Sequence, residues 1–98
     1  MNAKKEFLEE IKDKEVLCAI IGKEDEPKSL SIGFNNQDFD KFLNEIDFDY
    51  DEGFGGQNLF GNIWFKDRTW SERVEYDGSE WWEYKLVPEI PLGLRVKK

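Results

Sequence analysis

The pattern of apolar and polar residues divides the chain into short helices and strands. Residues 3–14 place apolar side chains at helical spacing, and Asn2 stands where an N-cap belongs. Residues 15–22 form an apolar, β-branched run that is typical of a buried strand, and residues 29–34 alternate as a returning strand. The pattern therefore predicts a helix followed by a two-stranded hairpin.

A second helix is predicted over residues 35–46. Asn35 or Asn36 can cap it, and Asp38 falls in its first turn, where a negative charge is favourable. Its apolar residues recur at the spacing i, i+3, i+4, i+7, and they are Phe39, Phe42, Leu43 and Ile46. Such a stripe either packs on a sheet or binds a partner. We favour packing on the sheet, because a small domain needs such a face to complete its core.

From residue 57 onward the chain is patterned as an antiparallel meander. Residues 57–65, 69–76 and 79–87 alternate as strands, joined at Asp67-Arg68 and at Asp77-Gly78. Asp-Gly is a strong signal for a two-residue hairpin, because a type I′ turn needs positive φ at both central positions. Arg68 is an awkward residue for the same type of turn, where glycine or asparagine is expected. Together with the earlier elements, this predicts an α+β fold with a sheet of about five strands and two helices packed on one face.

Two-residue turns at both positions fix a strand register. The predicted pairs are Phe65 with Trp70, Ile63 with Glu72, Val74 with Trp81 and Arg73 with Trp82. The face assigned to the core then holds Leu59, Ile63, Phe65, Trp70, Val74, Tyr76 and Trp81. The opposite face holds Phe60, Trp64, Ser71, Arg73, Glu75, Glu80, Trp82 and Tyr84. Adjacent residues point to opposite faces, so this register places Trp81 inside and Trp82 outside. It also sets Glu72 against Glu83 on the core face, where like charges repel.

The predicted outward face has the composition of a binding surface. It holds four aromatic side chains around Arg73, and the guanidinium of Arg73 can stack on Trp82 as a cation–π pair. Aromatic residues beside arginine are common in interface hot spots. The alternative is that this face is covered by the 15–34 hairpin or by the C-terminal stretch PEIPLGLRVKK, whose two prolines predict no regular structure.

Composition limits the functions that the chain can perform. Its 98 residues fit a single domain, and 39% of them are hydrophobic, which is enough for one core. The net charge is −8. So much negative charge repels phosphate backbones and disfavours direct nucleic-acid binding, whereas it favours a partner that carries a basic groove.

The chemistry of most catalytic and metal sites is missing from the sequence. The chain has no histidine, which excludes Ser-His and Cys-His nucleophiles and histidine-ligated zinc. A pair of carboxylates could still hydrolyse a glycoside, but such sites need a cleft that a chain of this size rarely builds. We therefore expect no enzyme, no cofactor and no metal. The single Cys18, the charged N-terminal stretch and the lack of a long apolar run fit a protein of the reducing cytoplasm that does not bind membranes.

An acidic segment precedes the meander. Asp47, Asp49 and Asp51 match the opening of a calcium-binding loop, but the sixth position is Glu52 where glycine is needed. The twelfth position is Asn58, which cannot supply the bidentate carboxylate. The segment is therefore either a solvated acidic loop or an acidic recognition surface. If it is extended, alternate carboxylates lie about 6.6 Å apart, comparable to successive phosphates of a nucleic-acid strand.

The run GGQNLFGNIWFKDRTWSERVEYDGSEWWEY, residues 55–84, resembles small, mostly uncharacterised proteins of phages and prophages. Arg68 departs from the Asp-Gly-Thr-Trp turn expected in such sequences, and the resemblance covers about a third of the chain. It implies a setting and no established activity. Small acidic phage proteins of this kind are frequently inhibitors of host defence, anti-CRISPR proteins among them, and they act in the host cytoplasm.

Three functions from different classes follow as hypotheses. The first is a phage-type inhibitor that occupies a basic nucleic-acid groove on a host nuclease complex, with carboxylates in place of phosphates. The second is an immunity or antitoxin protein that blocks a toxin, and the third is a protein that sequesters a nucleotide between aromatic rings and Arg73. The oligomeric state is open. The residues predicted to bind a partner are Asp47, Asp49, Asp51, Glu52, Phe60, Trp64, Arg73, Glu75, Glu80, Trp82 and Tyr84.

Overall fold

In the part of the chain that the structure describes, five antiparallel strands form one open sheet in the order β2-β1-β3-β4-β5, and two helices accompany it. The computed structural model describes residues 1–51 and 56–88. The elements are α1 (Ala3–Glu10), β1 (Val16–Lys23), β2 (Glu26–Leu30), α2 (Asn36–Glu45), β3 (Phe60–Phe65), β4 (Trp70–Tyr76) and β5 (Ser79–Lys85). The predicted α+β class is confirmed. Glu52 and residues 89–98, which include most of the predicted irregular C-terminal stretch, lie outside the described residues.

Both helices are capped by asparagine and pack on the same side of the sheet. The side chain of Asn2 accepts the backbone N–H of Lys5 at 2.9 Å, as the sequence predicts. Asn35 forms a capping box with Asp38 at the start of α2. Phe7 of α1 meets Phe42 of α2 edge to face, with ring centroids 5.4 Å apart. Both rings belong to one buried cluster with strand residues, which include Ala19, Ile21, Leu30, Ile63 and Phe65. We call the sheet face under the helices the inner face and the opposite one the outer face.

The second strand lies earlier in the chain than the predicted range 29–34. Lys23 pairs with Glu26, so the hairpin turn is tight and β2 ends at Leu30. Ile32, which the alternation placed in this strand, is 68% exposed beyond its end. The observed strand includes Pro27, which cannot donate a backbone hydrogen bond to a neighbouring strand. An edge strand tolerates proline, since one side of its backbone needs no ladder hydrogen bond.

The β4–β5 hairpin follows the predicted register. Arg73 pairs with Trp82 and Val74 pairs with Trp81. The φ angles of Asp77 and Gly78 are 53° and 87°, so both central residues are in the left-handed region that a type I′ turn requires.

The β3–β4 connection is one residue longer than predicted. Trp64, and not Phe65, pairs with Trp70, and the N–H of Phe65 donates to the carbonyl of Thr69 at 2.9 Å. Residues 66–68 therefore form a three-residue loop, and Arg68 occupies the left-handed region with φ of 72°. This is the common three-residue hairpin, in which a turn is followed by one left-handed residue.

That single residue reverses the predicted faces of β4 and β5, because side chains alternate along a strand. The residues wrongly assigned to the core are Trp70, Val74, Tyr76 and Trp81, and all four lie on the outer face. The residues wrongly assigned to the outward face lie on the side of the sheet that carries the helices, and they are Ser71, Arg73, Glu75, Glu80, Trp82 and Tyr84. The assignments of Leu59, Ile63 and Phe65 to the core on the β3 side are confirmed.

Replacing Arg68 should test this loop. Arg68→Gly should raise the free energy of unfolding by about 0.5–1 kcal/mol, because a residue with a Cβ is strained in the left-handed region and glycine is not. Arg68→Ala is the matched control, since it removes the side chain and keeps the Cβ. Urea denaturation measures both variants. Equal stability of the two would contradict the three-residue loop.

Candidate binding surfaces

Arg73 lies at the centre of a buried polar cluster on the inner face. Its side chain is 0% exposed, and Nη1 lies 3.2 Å from a carboxylate oxygen of Glu6 on α1. Nη2 lies 3.6 Å from Glu80 on β5 and donates a hydrogen bond to the hydroxyl of Tyr50. Tyr50 in turn donates to Glu6. The prediction that Arg73 contacts a partner is therefore wrong in its premise, because the guanidinium is buried under α1.

Glu80 has a structural role in the same cluster. Its carboxylate accepts the backbone N–H of Asn58 at 2.6 Å and that of Leu59 at 2.9 Å. These bonds fix the chain before β3 to strand β5. The predicted exposure of Glu80 is wrong for the same reason as that of Arg73. The shift of one residue between β3 and β4 places both side chains on the inner face of the sheet.

Trp82 packs against the hydrophobic core and faces the helices. The guanidinium carbon of Arg73 is 5.5 Å from the Trp82 ring and 5.5 Å from the Tyr50 ring. The predicted cation–π pair of Arg73 and Trp82 is therefore present, but inside the protein. The indole nitrogen of Trp82 is buried and has no hydrogen-bond partner within residues 1–51 and 56–88. Burial, followed by the hydrogen bond to Glu6, raises the pKa of the Tyr50 hydroxyl far above its ordinary value.

The acidic segment that resembles a calcium loop joins the start of α1. The Nδ2 group of Asn2 donates to Asp47 at 3.2 Å and to Asp49 at 2.9 Å, and Asn2 and Asp49 form an isolated β-bridge. The hydrogen bond from Asn2, together with Lys4 at 3.4 Å, holds the pKa of Asp47 below its ordinary value. Within the described residues the carboxylate of Asp51 has no ion pair or hydrogen bond.

A cleft of about 850 Å³ opens between α1 and the 49–51 segment. Its acidic lining residues are Glu6, Glu9, Glu10, Asp49 and Asp51, and Trp82, Tyr50, Asn2, Lys5 and Met1 complete its wall. Glu6 is already engaged by Arg73, Glu10 accepts the hydroxyl of Ser71, and Asp49 is engaged by Asn2. The cleft is thus an acidic surface feature in which part of the charge is used by the fold.

The outer face carries three of the four tryptophans. Trp64 is 40% exposed and Trp81 is 41% exposed, while Trp70 is half-buried beside them on β4. Both helices bury their apolar sides against the opposite, inner face. Large aromatic side chains with this exposure are the kind of residue that anchors protein interfaces.

Two carboxylates oppose each other among these tryptophans. Glu72 of β4 pairs with Glu83 of β5, as predicted, but on the outer face and not toward the core. Lys85 bonds to Glu72 and lies 3.9 Å from Glu83. The hydrogen bond from Lys85 to Glu72 raises the pKa of the Lys85 ammonium.

The remaining predicted site residues do not form one surface. Phe60 is half-buried at the start of β3, opposite Gly22. Glu75 is exposed, and its carboxylate accepts the N–H of Gly78 at 2.8 Å. Tyr84 is 39% exposed on the inner side of β5, where the Lys14 ammonium lies 4.5 Å from its ring. Of the aromatic residues predicted to bind a partner, Trp64 is the one that lies exposed on the outer face.

The sequence prediction missed Trp70, Trp81, Glu72 and Glu83 as candidate contact residues. Two signals pointed to them. Arg68 does not suit a two-residue turn, and the predicted register set two glutamates against each other in the core. A loop one residue longer removes both difficulties at once.

Comparison of the chain with protein-family models, with curated proteins and with solved structures found no match. Within residues 1–51 and 56–88, no helix is long and apolar enough to cross a membrane. The same residues contain no group of three or more side chains suited to hold a metal ion.

Replacing the two adjacent tryptophans separately should distinguish the two faces. Trp82→Ala should lower the free energy of unfolding by about 3 kcal/mol, near the lower end of the range for large core aromatics, because its ring is partly buried against the core. Trp81→Ala should cost about 1 kcal/mol or less, since it loses only a cross-strand contact. Urea denaturation gives both values. Equal losses would show that the outer face is covered as well.

Removing Arg73 should be costly because its carboxylate partners stay buried. Arg73→Met should lower the free energy of unfolding by about 3–5 kcal/mol, the usual effect of breaking a buried ion pair from one side. Adding Glu80→Gln to Arg73→Met should recover part of the loss, since it removes one uncompensated charge and keeps one of the two oxygens that accept the N–H groups of Asn58 and Leu59. If the double variant is less stable than Arg73→Met alone, Glu80 is held mainly by its backbone hydrogen bonds and not by the arginine.

Proposed function

We propose that this protein is a small, non-enzymatic inhibitor that binds a positively charged nucleic-acid groove on a protein partner. The resemblance of residues 55–84 to phage proteins implies that the protein acts in the host cytoplasm. The partner that we propose there is a host defence nuclease complex, which the protein would block. The observation that carries the proposal is the outer face, where three tryptophans surround two opposed carboxylates. An acidic protein with exposed aromatic anchors fits a basic protein groove better than it fits a nucleic acid or a membrane.

Charge supplies attraction and orientation in this proposal. The net charge of −8 draws the protein to a basic groove over distances of about a Debye length, near 10 Å in moderate salt. The Asp47–Asp51 segment adds carboxylates at an edge of the fold, and that of Asp51 is unpaired within the described residues. Such charges act mainly on the rate of association, because exposed ion pairs contribute little energy individually.

Aromatic side chains supply the binding energy. Trp64, which the sequence also predicted to bind a partner, is joined on this face by Trp81, whereas Trp82 is packed under the helices and Tyr84 lies on the other face. Binding energy in protein interfaces concentrates in a few tryptophan, tyrosine and arginine residues that become desolvated on contact. The outer face offers tryptophans for that purpose and carboxylates for a cationic partner.

An immunity or antitoxin protein would use the same contacts, and an adjacent toxin gene would favour that alternative. The nucleotide-sequestering alternative depended on an accessible Arg73. The Arg73 side chain is 0% exposed and lies between Glu6 and Glu80, so the described structure offers that alternative no specific support.

Competition with nucleic acid should test the proposal. The immobilised protein should capture a nucleic-acid-binding protein from a bacterial host lysate at low salt, and short DNA or RNA duplexes should release it. High salt should release it as well, because ions screen the attraction between carboxylates and a basic groove. The double variant Trp64→Ala/Trp81→Ala should lose capture while remaining folded. A captured protein that duplexes do not displace would contradict occupation of a nucleic-acid groove.

A matched pair of charge variants should show where the attraction originates. Changing Asp47, Asp49 and Asp51 to asparagine should slow association with the captured partner, because it removes three negative charges beside α1 and keeps the acceptor oxygens. The control changes Glu24, Asp25 and Glu26 to their amides, which alters the net charge equally at the β1–β2 turn. Surface plasmon resonance measures both association rates. Equal slowing would assign the effect to net charge and not to the acidic segment.

A further inference from the structure

The middle of the outer face holds an arrangement that folding alone does not favour. Glu72 and Glu83 are directly opposite in the β4–β5 ladder. Like charges in directly opposite positions of a sheet destabilise it. Residues two apart on a strand share a face about 6.6 Å apart, so Trp70 flanks Glu72 and Trp81 flanks Glu83.

Lys85 offsets only part of this repulsion. It bonds to Glu72, and its ammonium is 3.9 Å from Glu83, so two carboxylates share one cation. The side chain of Glu83 remains 48% exposed. The outer face therefore keeps a net negative charge between exposed indole rings.

We propose that the Glu72–Glu83 pair receives an arginine side chain from a protein partner, with the guanidinium placed among the outer-face tryptophans. The choice of a basic protein as the occupant rests on the proposed function. A guanidinium suits this surface because its planar donors match carboxylates and its face stacks on indole. The inner face of the same sheet has a similar arrangement already, since the guanidinium carbon of Arg73 lies 5.5 Å from the ring of Tyr50 and 5.5 Å from that of Trp82, and Arg73 contacts Glu6 and Glu80.

The charge of the outer face decides against other occupants. A second copy of the chain would bring its own Glu72 and Glu83 against the same pair. A nucleic acid would bring phosphates to a face whose described carboxylates outnumber its cation. A lysine side chain would satisfy the charge, but it lacks the planar group that stacks on indole.

Lys85 acts as an internal competitor in this arrangement. Because its ammonium occupies Glu72, an incoming guanidinium must displace it or bind Glu83 alone. Removing the ammonium should therefore strengthen arginine binding while it weakens the fold. These opposite signs separate a competitor from a residue that merely supports the surface.

An arginine peptide tests the site without knowledge of the partner. The probe is Ac-Gly-Arg-Gly-Arg-Gly-NH₂, titrated into the ¹⁵N-labelled protein. The four indole N–H signals are assigned with single Trp→Phe variants. The signals of Trp64, Trp70 and Trp81 should shift, whereas that of Trp82, on the inner face, should not. A citrulline peptide, which has the same shape without the charge, should cause no shift, and a lysine peptide should cause smaller shifts.

Carboxylate variants give the magnitude. Glu72→Gln/Glu83→Gln should weaken binding of the arginine peptide by about threefold or more, the range of one or two exposed ion pairs. Its folded state should be retained, because the substitution removes a like-charge contact. Glu24→Gln/Glu26→Gln makes the same change in net charge at the β1–β2 turn and should leave the affinity unchanged. Equal weakening in both variants would overturn the proposal in favour of general charge attraction.

The Lys85 variant gives the sign. Lys85→Gln should tighten peptide binding by about twofold to threefold and lower the melting temperature. Weaker binding in this variant would overturn the role of Lys85 as a competitor. Indole shifts that depend on protein concentration without peptide would instead assign the face to a second copy.

These results are separable from those of the proposed function. If duplexes release the captured partner but Glu72→Gln/Glu83→Gln captures it equally well, this inference fails and the proposed function stands. If the peptide binds as described but duplexes never release a captured partner, the arginine site stands and the nucleic-acid groove fails.

Discussion

The three-residue loop between β3 and β4 decides which side chains of the last two strands meet the helices. The position of β3 is fixed by the core, because Ile63 and Phe65 are buried and β3 pairs with β1. The loop places Ser71 opposite Ile63, and this pairing determines the face on which every side chain of β4 lies. The type I′ turn at Asp77-Gly78 pairs β5 with β4 in the predicted register, so the faces of β5 follow from those of β4. One left-handed residue, Arg68, thus determines the chemistry of both faces of a hairpin that extends to Lys85.

The inner face depends on that choice. Burying Arg73 is favourable only where its charge is compensated, since an isolated buried ion is far less stable than one in water. The register brings it under Glu6 of α1 and beside Glu80 of β5, while Tyr50 closes the cluster from the acidic segment. The cluster therefore connects α1, the chain before β3 and the last hairpin. We infer that it specifies one arrangement of these parts more than it adds stability, in line with the small net gain from buried ion pairs.

The fold class was predictable from the sequence, whereas the candidate site was not. Helical stripes, asparagine caps and the Asp-Gly turn are local signals, and each is read within a few residues of the element that it defines. The side of the sheet on which Trp81 lies depends instead on the loop of residues 66–68, which precedes β4 and contains no glycine that would mark its length. Because β5 has tryptophan at two adjacent positions, each of its faces carries one, and the apolar pattern of the strand does not show which face is buried. The buried Arg73 and Glu80 add to the difficulty, because charged side chains in a sequence predict an exposed face and these two lie on the inner one.

The two faces of the hairpin use the same chemistry to different ends. Inside, carboxylates and aromatic rings surround the guanidinium of Arg73, and water is excluded. Outside, Glu72, Glu83 and the tryptophans form a similar set, but the cation there is Lys85, whose ammonium satisfies charge without stacking on a ring as a guanidinium does. Interactions of this kind become strong when water is removed, so the outer set stays weak in the free protein. A partner that brings its own guanidinium and excludes water would form on the outer face the ion pairs and cation–π contacts that Arg73 forms on the inner face.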